Sequence, residues 1–201
     1  MKQFLLSFWD KHKILSVLLA VILAGFVLFA VWYFQPISTR TVTGQINGRK
    51  FSMEVPKDWK MVTDNETFKR YAPEGKAYTE DFVSINLSQM SEELGYSEES
   101  QSLLKNMIHT GDPDLFEKTQ QSFFPDFRLY YHKKMESNGI SMVKLSYALC
   151  KDPEWEYSYK IGCFFEEQDD VYFLYLSWEH RLFKPMSRIL QKTAASFQWE
   201  S

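Results

Sequence analysis

The sequence predicts an α+β protein: a central antiparallel β-sheet flanked by helices, following one N-terminal transmembrane helix. Three observations carry that expectation. Residues 14–34, ILSVLLAVILAGFVLFAVWYF, form an unbroken apolar run. Between Ser97 and Pro125 the hydrophobic period changes from two residues to about 3.6. The last third is a series of long, β-rich segments separated by short polar turns, closed by a second helical pattern.

At about 1.5 Å per residue, a helix over the apolar run spans roughly 30 Å, the thickness of a bilayer's hydrocarbon core. A cleavable signal peptide has a shorter apolar stretch and a small-x-small site. Here Ala24 and Ala30 are preceded two positions earlier by Ile22 and Leu28, so cleavage is not expected. Both cysteines, Cys150 and Cys163, lie far downstream, which excludes a lipoprotein anchor. Trp32, Tyr33 and Phe34 suit the headgroup layer, and Pro36 is a helix stop. Lys2, Lys11 and Lys13 precede the run and Arg40 follows it; this bias, narrowed by Arg49 and Lys50, favours a cytoplasmic amino terminus and an extracytoplasmic domain. The expected organisation is a short cytoplasmic tail (1–13), a transmembrane helix (14–34), a linker (35–42) and an α+β domain (43–201). Ala20 and Ala24 have the small-xxx-small spacing that permits close contact between membrane helices, a weak signal because alanine is common there.

Beyond the anchor the chain is long enough for one domain with one substantial core. Setting aside Lys2, Lys11, Lys13 and Asp10 from 23 basic and 26 acidic residues leaves 20 against 25. That acidic balance lacks the basic stripe needed to neutralise phosphates, which argues against nucleic-acid binding.

The domain opens with TVTGQI and RKFSMEV around Asn47-Gly48, a pair suited to the positive φ angles of a tight hairpin. Pro56-Lys-Asp-Trp59 breaks the second strand, and Trp59 is expected to fold back over the sheet before KMVT resumes extended structure. FVSINLS, 82–88, alternates and reads as a strand. Leu103, Leu104, Met107 and Ile108 share one helical face, behind a cap at Ser97 and an acidic first turn at Glu98 and Glu99; Gly111 ends that helix. Asp112-Pro113 then reads as cap and first position of a second helix carrying Leu115, Phe116 and Phe123, terminated by Pro125. Four strands follow as an antiparallel meander: FRLYYHKKMES, ISMVKLSYALC after Asn138-Gly139, YSYKIGCFFEE after a loop at 151–156, and VYFLYLSW. The last is apolar at nearly every position and is expected to be covered on both faces. Leu182, Phe183, Met186, Ile189, Leu190 and Ala194 place a closing helix over Leu182 to Phe197.

This order of elements resembles the PsbP-like domain family, which includes DcrB-type bacterial proteins and the Mog-type Ran-binding factor. The likeness runs over roughly residues 43–199 and rests on FSMEVPKDW, FVSINLS, GISMVKLSY, VYFLYLSW and the terminal SFQW. It implies an α/β/α sandwich and a non-enzymatic module that binds another protein. Members serve as photosystem subunits, export-associated lipoproteins, chaperones or GTPase partners, so the fold does not fix the function. No family binding residue can be matched to a position here, and none is carried over.

No catalytic residue, metal ligand or cofactor is assigned. His12, His109, His132 and His180 lack the spacing that zinc ligands show. Glu166, Glu167, Asp169 and Asp170 lack the ligand spacing and glycine of a calcium loop, and read as a charged hairpin turn. No G-x-S-x-G elbow occurs, and neither cysteine has a local histidine signature. An exported domain invites a Cys150–Cys163 disulfide. Alternation argues against it by placing the two on opposite faces, although a bulge would restore pairing. Trp155, in DPEWEYS, and Trp178, before Glu179-His180-Arg181, are candidate partner contacts. The competing reading is that both rings fold back to cap the sheet.

Three functions follow in order of preference. The first is a single-pass membrane-anchored, extracytoplasmic protein-binding or assembly module without catalytic activity, whose partner is a membrane or envelope protein. The second is a binding protein for a small apolar ligand. The third is a hydrolase assembled from distant residues.

Overall fold

The structure is a computed structural model that describes residue 15 and residues 17–31, 35–74, 83–92, 95–150, 157–178 and 186–200. The chain divides into two compact units, Met1–Ile37 and Ser38–Ser201. In the first, residues 17–31 form helix α1, with Leu19, Val21, Ile22, Phe26 and Leu28 more than half exposed. Among the described residues no helix is long and apolar enough to cross a membrane. The described helix is the inner part of the 14–34 run; the expected tail (1–13) and residues 32–34 lie outside the described residues. Ala20 and Ala24 are exposed on α1.

The described residues of the second unit form ten strands and three helices: β1 Thr39–Ile46, β2 Arg49–Pro56, β3 Trp59–Asp64, β4 Phe68–Pro73, β5 Val83–Gln89, α2 Glu98–Thr110, α3 Asp114–Phe123, β6 Arg128–Ser137, β7 Ile140–Cys150, β8 Tyr157–Glu167, β9 Asp170–Trp178, α4 Met186–Ser196 and β10 Gln198–Trp199. They form two sheets, where one central sheet was expected. A three-stranded sheet has the order β1-β2-β10, and a seven-stranded sheet has the order β3-β4-β5-β9-β8-β7-β6. The opening hairpin leaves the large sheet because β2 is paired on both sides, by β1 and by β10. The break at Pro56 to Trp59 is the point where the chain changes sheets. Trp59 is buried there as expected, but as the first residue of β3.

Local chemistry explains the turns and caps. Asn47 and Asn138 take φ of 47° and 49° at the two Asn-Gly hairpins. Ser97 accepts the Ser100 amide at the start of α2, and Gly111, at φ 79°, closes it in the left-handed region that a side chain disfavours. At α3 the capping bond comes from Asp112 Oδ1, which accepts the Asp114 amide at 3.0 Å, while Pro113 sits between them. Asn138 Nδ2 donates to the carbonyls of Ala195 and Phe197 at 3.0 and 2.8 Å, tying the β6–β7 turn to the end of α4.

Strand β9 is central, between β5 and β8, and both of its faces are covered. Val171 and Phe173 face a layer formed by α2 and α3, with Met107, Ile108, Phe116 and Phe127. Tyr172 faces the other side, where its ring meets Trp199 at 5.1 Å and where α4 and the small sheet lie. The expected sandwich is therefore present, with a three-stranded sheet sharing one outer layer with a helix.

Three expectations need correction. Residues 39–42, assigned to a linker, pair with β2, and Val42 is buried. Strand β4 was missed, because its alternation is masked by Lys69, which is 5% exposed and paired with Asp64. The closing helix ends at Ser196; Phe197 lies past it, and Gln198–Trp199 form β10. Leu182 and Phe183 lie outside the described residues.

Candidate functional site

The acidic β8–β9 turn lets a strand pair reverse over Gln168 and Asp169, both at positive φ. Its carboxylates reach partners on two sides, with Asp169 Oδ1 sharing Lys105 Nζ, at 3.9 Å, with Glu166. Glu166 Oε1 is 3.6 Å from Lys105 Nζ, and Glu166 Oε2 is 2.9 Å from His109 Nε2, both on α2. Glu167 pairs with Arg49 at 3.0 Å, and Asn47 Nδ2 donates to Asp170 at 3.0 Å. The turn thus joins α2 on one side and the small sheet on the other. Among the described residues no group of three or more His, Cys, Asp or Glu side chains is placed to hold a metal ion. His132 is exposed on β6, and His12 and His180 lie outside the described residues.

Cys163 is a free, buried thiol. The register places it opposite Lys144, while Cys150 pairs with Tyr157. Lys144 and Cys150 share a face of β7, so the opposite-face argument fails. What separates the cysteines is distance along the ladder: six residues, about 20 Å, against the roughly 7 Å a disulfide allows between Cα atoms. Burial pushes the Cys163 thiol up to about 12. Iodoacetamide at neutral pH is therefore expected to leave Cys163 unmodified in the native protein and to alkylate it fully in urea, read by peptide mass mapping; rapid native alkylation would contradict this.

Trp155 lies outside the described residues. Trp178, the last residue of β9, is half-buried, with its ring stacked 5.8 Å from that of Tyr159 across the β8–β9 ladder. The two tryptophans are not brought together by anything described.

Two features escaped the sequence. The first is a polar row on β5, whose polar positions are buried along with its apolar ones. Ser84, Asn86 and Ser88 are all below 5% exposed. Arg70 Nε donates to Asn86 Oδ1 at 3.0 Å, and Asn86 Nδ2 donates to Ser84 Oγ at 2.9 Å. Tyr175 lies opposite Asn86, and burial pushes its phenol up to about 12 while the Arg70 charge pulls the other way. Arg70, Asn86 and Ser84 satisfy one another, and Ser88 Oγ donates to the Gln89 carbonyl, so the row fixes the sheet rather than presents a nucleophile.

The second feature is strand β6. It forms one margin of the large sheet, and seven of its ten side chains are exposed, Tyr130 and Tyr131 among them. The aromatic residues that would line an apolar cavity are instead packed on each other. Phe164 and Phe173 stack at 3.8 Å, Phe173 and Tyr175 at 4.4 Å, and the Phe116 edge meets Phe164 at 5.7 Å.

No protein-family model matches the chain, and no curated protein matches it. Among solved structures it is similar to the Ran-binding protein Mog1p of Saccharomyces cerevisiae, with a TM-score of 0.52 at 10% identity over 81% of this chain and 96% of that one. Cyanobacterial PsbP (CyanoP) from Synechocystis sp. PCC 6803 aligns with a TM-score of 0.49 at 12% identity, over 83% and 95% of the two chains. LpqN of Mycobacterium tuberculosis, involved in cell envelope biogenesis, aligns with a TM-score of 0.48 at 12% identity, over 86% and 96%. At such identities the likeness concerns fold, and through Mog1p it shows that the α+β domain has the fold that the PsbP-like resemblance implied.

Proposed function

We propose that this chain is a single-pass membrane-anchored, extracytoplasmic module that binds or helps assemble another membrane or envelope protein, without catalysis of its own. The observation that carries the anchor is α1: the centre of the 14–34 run is helical, with its aliphatic side chains exposed, and the folded unit begins only at Ser38. Exposed apolar residues on all sides of one helix match lipid better than water. The binding role is supported by the fold shared with a Ran-binding protein. It also fits a domain whose acidic turn and buried polar row are spent on internal contacts.

The full chain is expected to stay with membranes through an alkaline carbonate wash, and a version lacking residues 1–37 is expected to be released. A Ser38→Cys variant is expected to react with a membrane-impermeant maleimide on intact cells; labelling only after lysis would reverse the orientation. Affinity purification of both versions from mild-detergent extracts tests the binding role. A stoichiometric partner held by the full chain supports it, and a protein that purifies alone from every extract argues against it.

A further inference from the structure

Strand β6 is a ten-residue edge whose neighbour among the described residues is β7 alone. The outward N–H and C=O groups of alternate residues on such an edge form a template for another strand. Its chemistry departs from the rest of the domain. Within the strand Arg128, His132, Lys133 and Lys134 stand beside one acid, Glu136, in a chain with excess acidic charge, and Arg128 is ion-paired at 3.9 Å with Asp126 just before it. Lys134 is occupied, since its Nζ donates to the His109 carbonyl at the end of α2 at 2.6 Å. Lys133 is exposed and stands directly opposite Lys144, a like-charge pair that weakens the β6–β7 ladder.

The position of the edge matters as well. The folded unit begins at the other margin of the sheet, where Arg40 Nη2 donates to the Trp59 carbonyl of β3 at 2.8 Å. Seven strands at about 4.8 Å spacing put β6 roughly 29 Å from β3. The margin most distant from the entry of the domain is therefore the one carrying exposed tyrosines and the exposed Lys133 set against Lys144.

We propose that β6 is a docking edge on which an extended, acidic segment of a partner protein adds an eighth strand. This rests on the protein-binding role proposed above and names the surface and the chemistry of the partner. Lysines and the bulge between Leu129 and Tyr131 are devices that protect edges from indiscriminate pairing. Antiparallel pairing of β6 with a second copy centred on Lys133 would set Lys133 against Lys133 and His132 against Lys134, so self-association in that register is disfavoured. The same charges favour an acidic strand, whose carboxylates would neutralise Lys133 and Lys144 together, while the tyrosines supply apolar contact. Selectivity thus comes from what the edge repels as much as from what it attracts.

The probe is a synthetic peptide, acetyl-Glu-Thr-Glu-Val-Glu-Val-Glu-amide, added to the full chain in detergent. It is expected to bind, to slow hydrogen exchange at β6 amides, and to bind roughly tenfold more weakly to Lys133→Glu. That variant replaces a Lys–Lys pair by a Glu–Lys pair, so its Tm is expected to be equal or higher, which separates lost binding from lost folding. N-methylation of the peptide in alternate registers tests pairing through the backbone. Loss of binding in one register supports it, and equal binding in both overturns it. Equal binding of a peptide with Lys in place of Glu, or binding to phosphatidylserine vesicles but not to the peptide, also overturns it. If a copurifying partner is retained by Lys133→Glu, the docking edge fails while the protein-binding role stands; if the unaltered chain retains none, that broader role fails.

Discussion

Replacing Phe197 by alanine is expected to destabilise the domain by about 3–5 kcal/mol, the range for deleting a fully buried phenylalanine. Phe197 is 0% exposed and lies just after the last helical residue, between the two sheets. Its ring is 6.0 Å from Phe51 on β2, 5.1 Å from Phe165 on β8 and 5.2 Å from Trp199 on β10. Truncation empties the joint between the small sheet, the large sheet and α4, which rigid strands on both sides cannot collapse to fill. Urea unfolding measures the loss, and hydrogen exchange is expected to show β2 amides opening most. Leu115→Ala, at a side chain 47% exposed on α3, is the control and is expected to cost less than about 0.5 kcal/mol. Equal effects of the two substitutions would contradict the packing described.

Gly162→Ala carries the second large effect, and it reverses the usual sign. Glycine inside a strand is normally unfavourable, so alanine would ordinarily help. Here a Cβ would stand 2.4 Å from Phe173 Cε2 and 2.5 Å from Tyr175 Cβ. Phe173 cannot retreat, because its ring is stacked on Phe164 at 3.8 Å and on Tyr175 at 4.4 Å. Overpacking is expected to cost about 2–3 kcal/mol. Combining it with Phe173→Leu should make the loss smaller than the sum of the single changes, because the shortened side chain vacates the ring's share of the contested space while Tyr175 Cβ stays. A stabilised Gly162→Ala protein would show that β8 and β9 are not so closely set.

Local features were legible in the sequence wherever the chemistry was local. The Ser97 cap, the acidic first turn and Gly111 delimit α2 within a few residues, and the Asn-Gly pairs locate both hairpins. The continuous apolar character of β9 revealed a strand covered on both faces. Pairing between distant segments was not legible. Nothing in SFQW shows that Gln198 and Trp199 will meet Ser52 and Phe51, and helical spacing up to Ala194 extends naturally to Phe197. The cysteine argument failed for a related reason. In a strand buried on both sides, Ile161, Cys163 and Phe165 are as apolar as Phe164, so apolarity no longer marks a face. Of the candidate site, Trp178 was visible as an aromatic at a strand end, but its stacking on Tyr159 was not. The β6 edge was visible as a strand; that it lies at a margin depends on sheet order, which alternation does not encode.

The pairing of β10 with β2 also sets an order of events during synthesis. The β1–β2 hairpin is made early, yet its second edge is closed by residues about 146 positions later, where Gln198 Nε2 donates to Ser52 Oγ. Contacts that distant are slow to form and cannot be replaced by local ones. Until the segment around Trp199 has left the ribosome and reached its place, the buried side of Phe51 and the unpaired edge of β2 stay open to other chains. A nascent domain of this kind is therefore most vulnerable to aggregation and proteolysis until Gln198 and Trp199 emerge, and ribosomes stalled within α4 would yield products that cannot complete their first sheet.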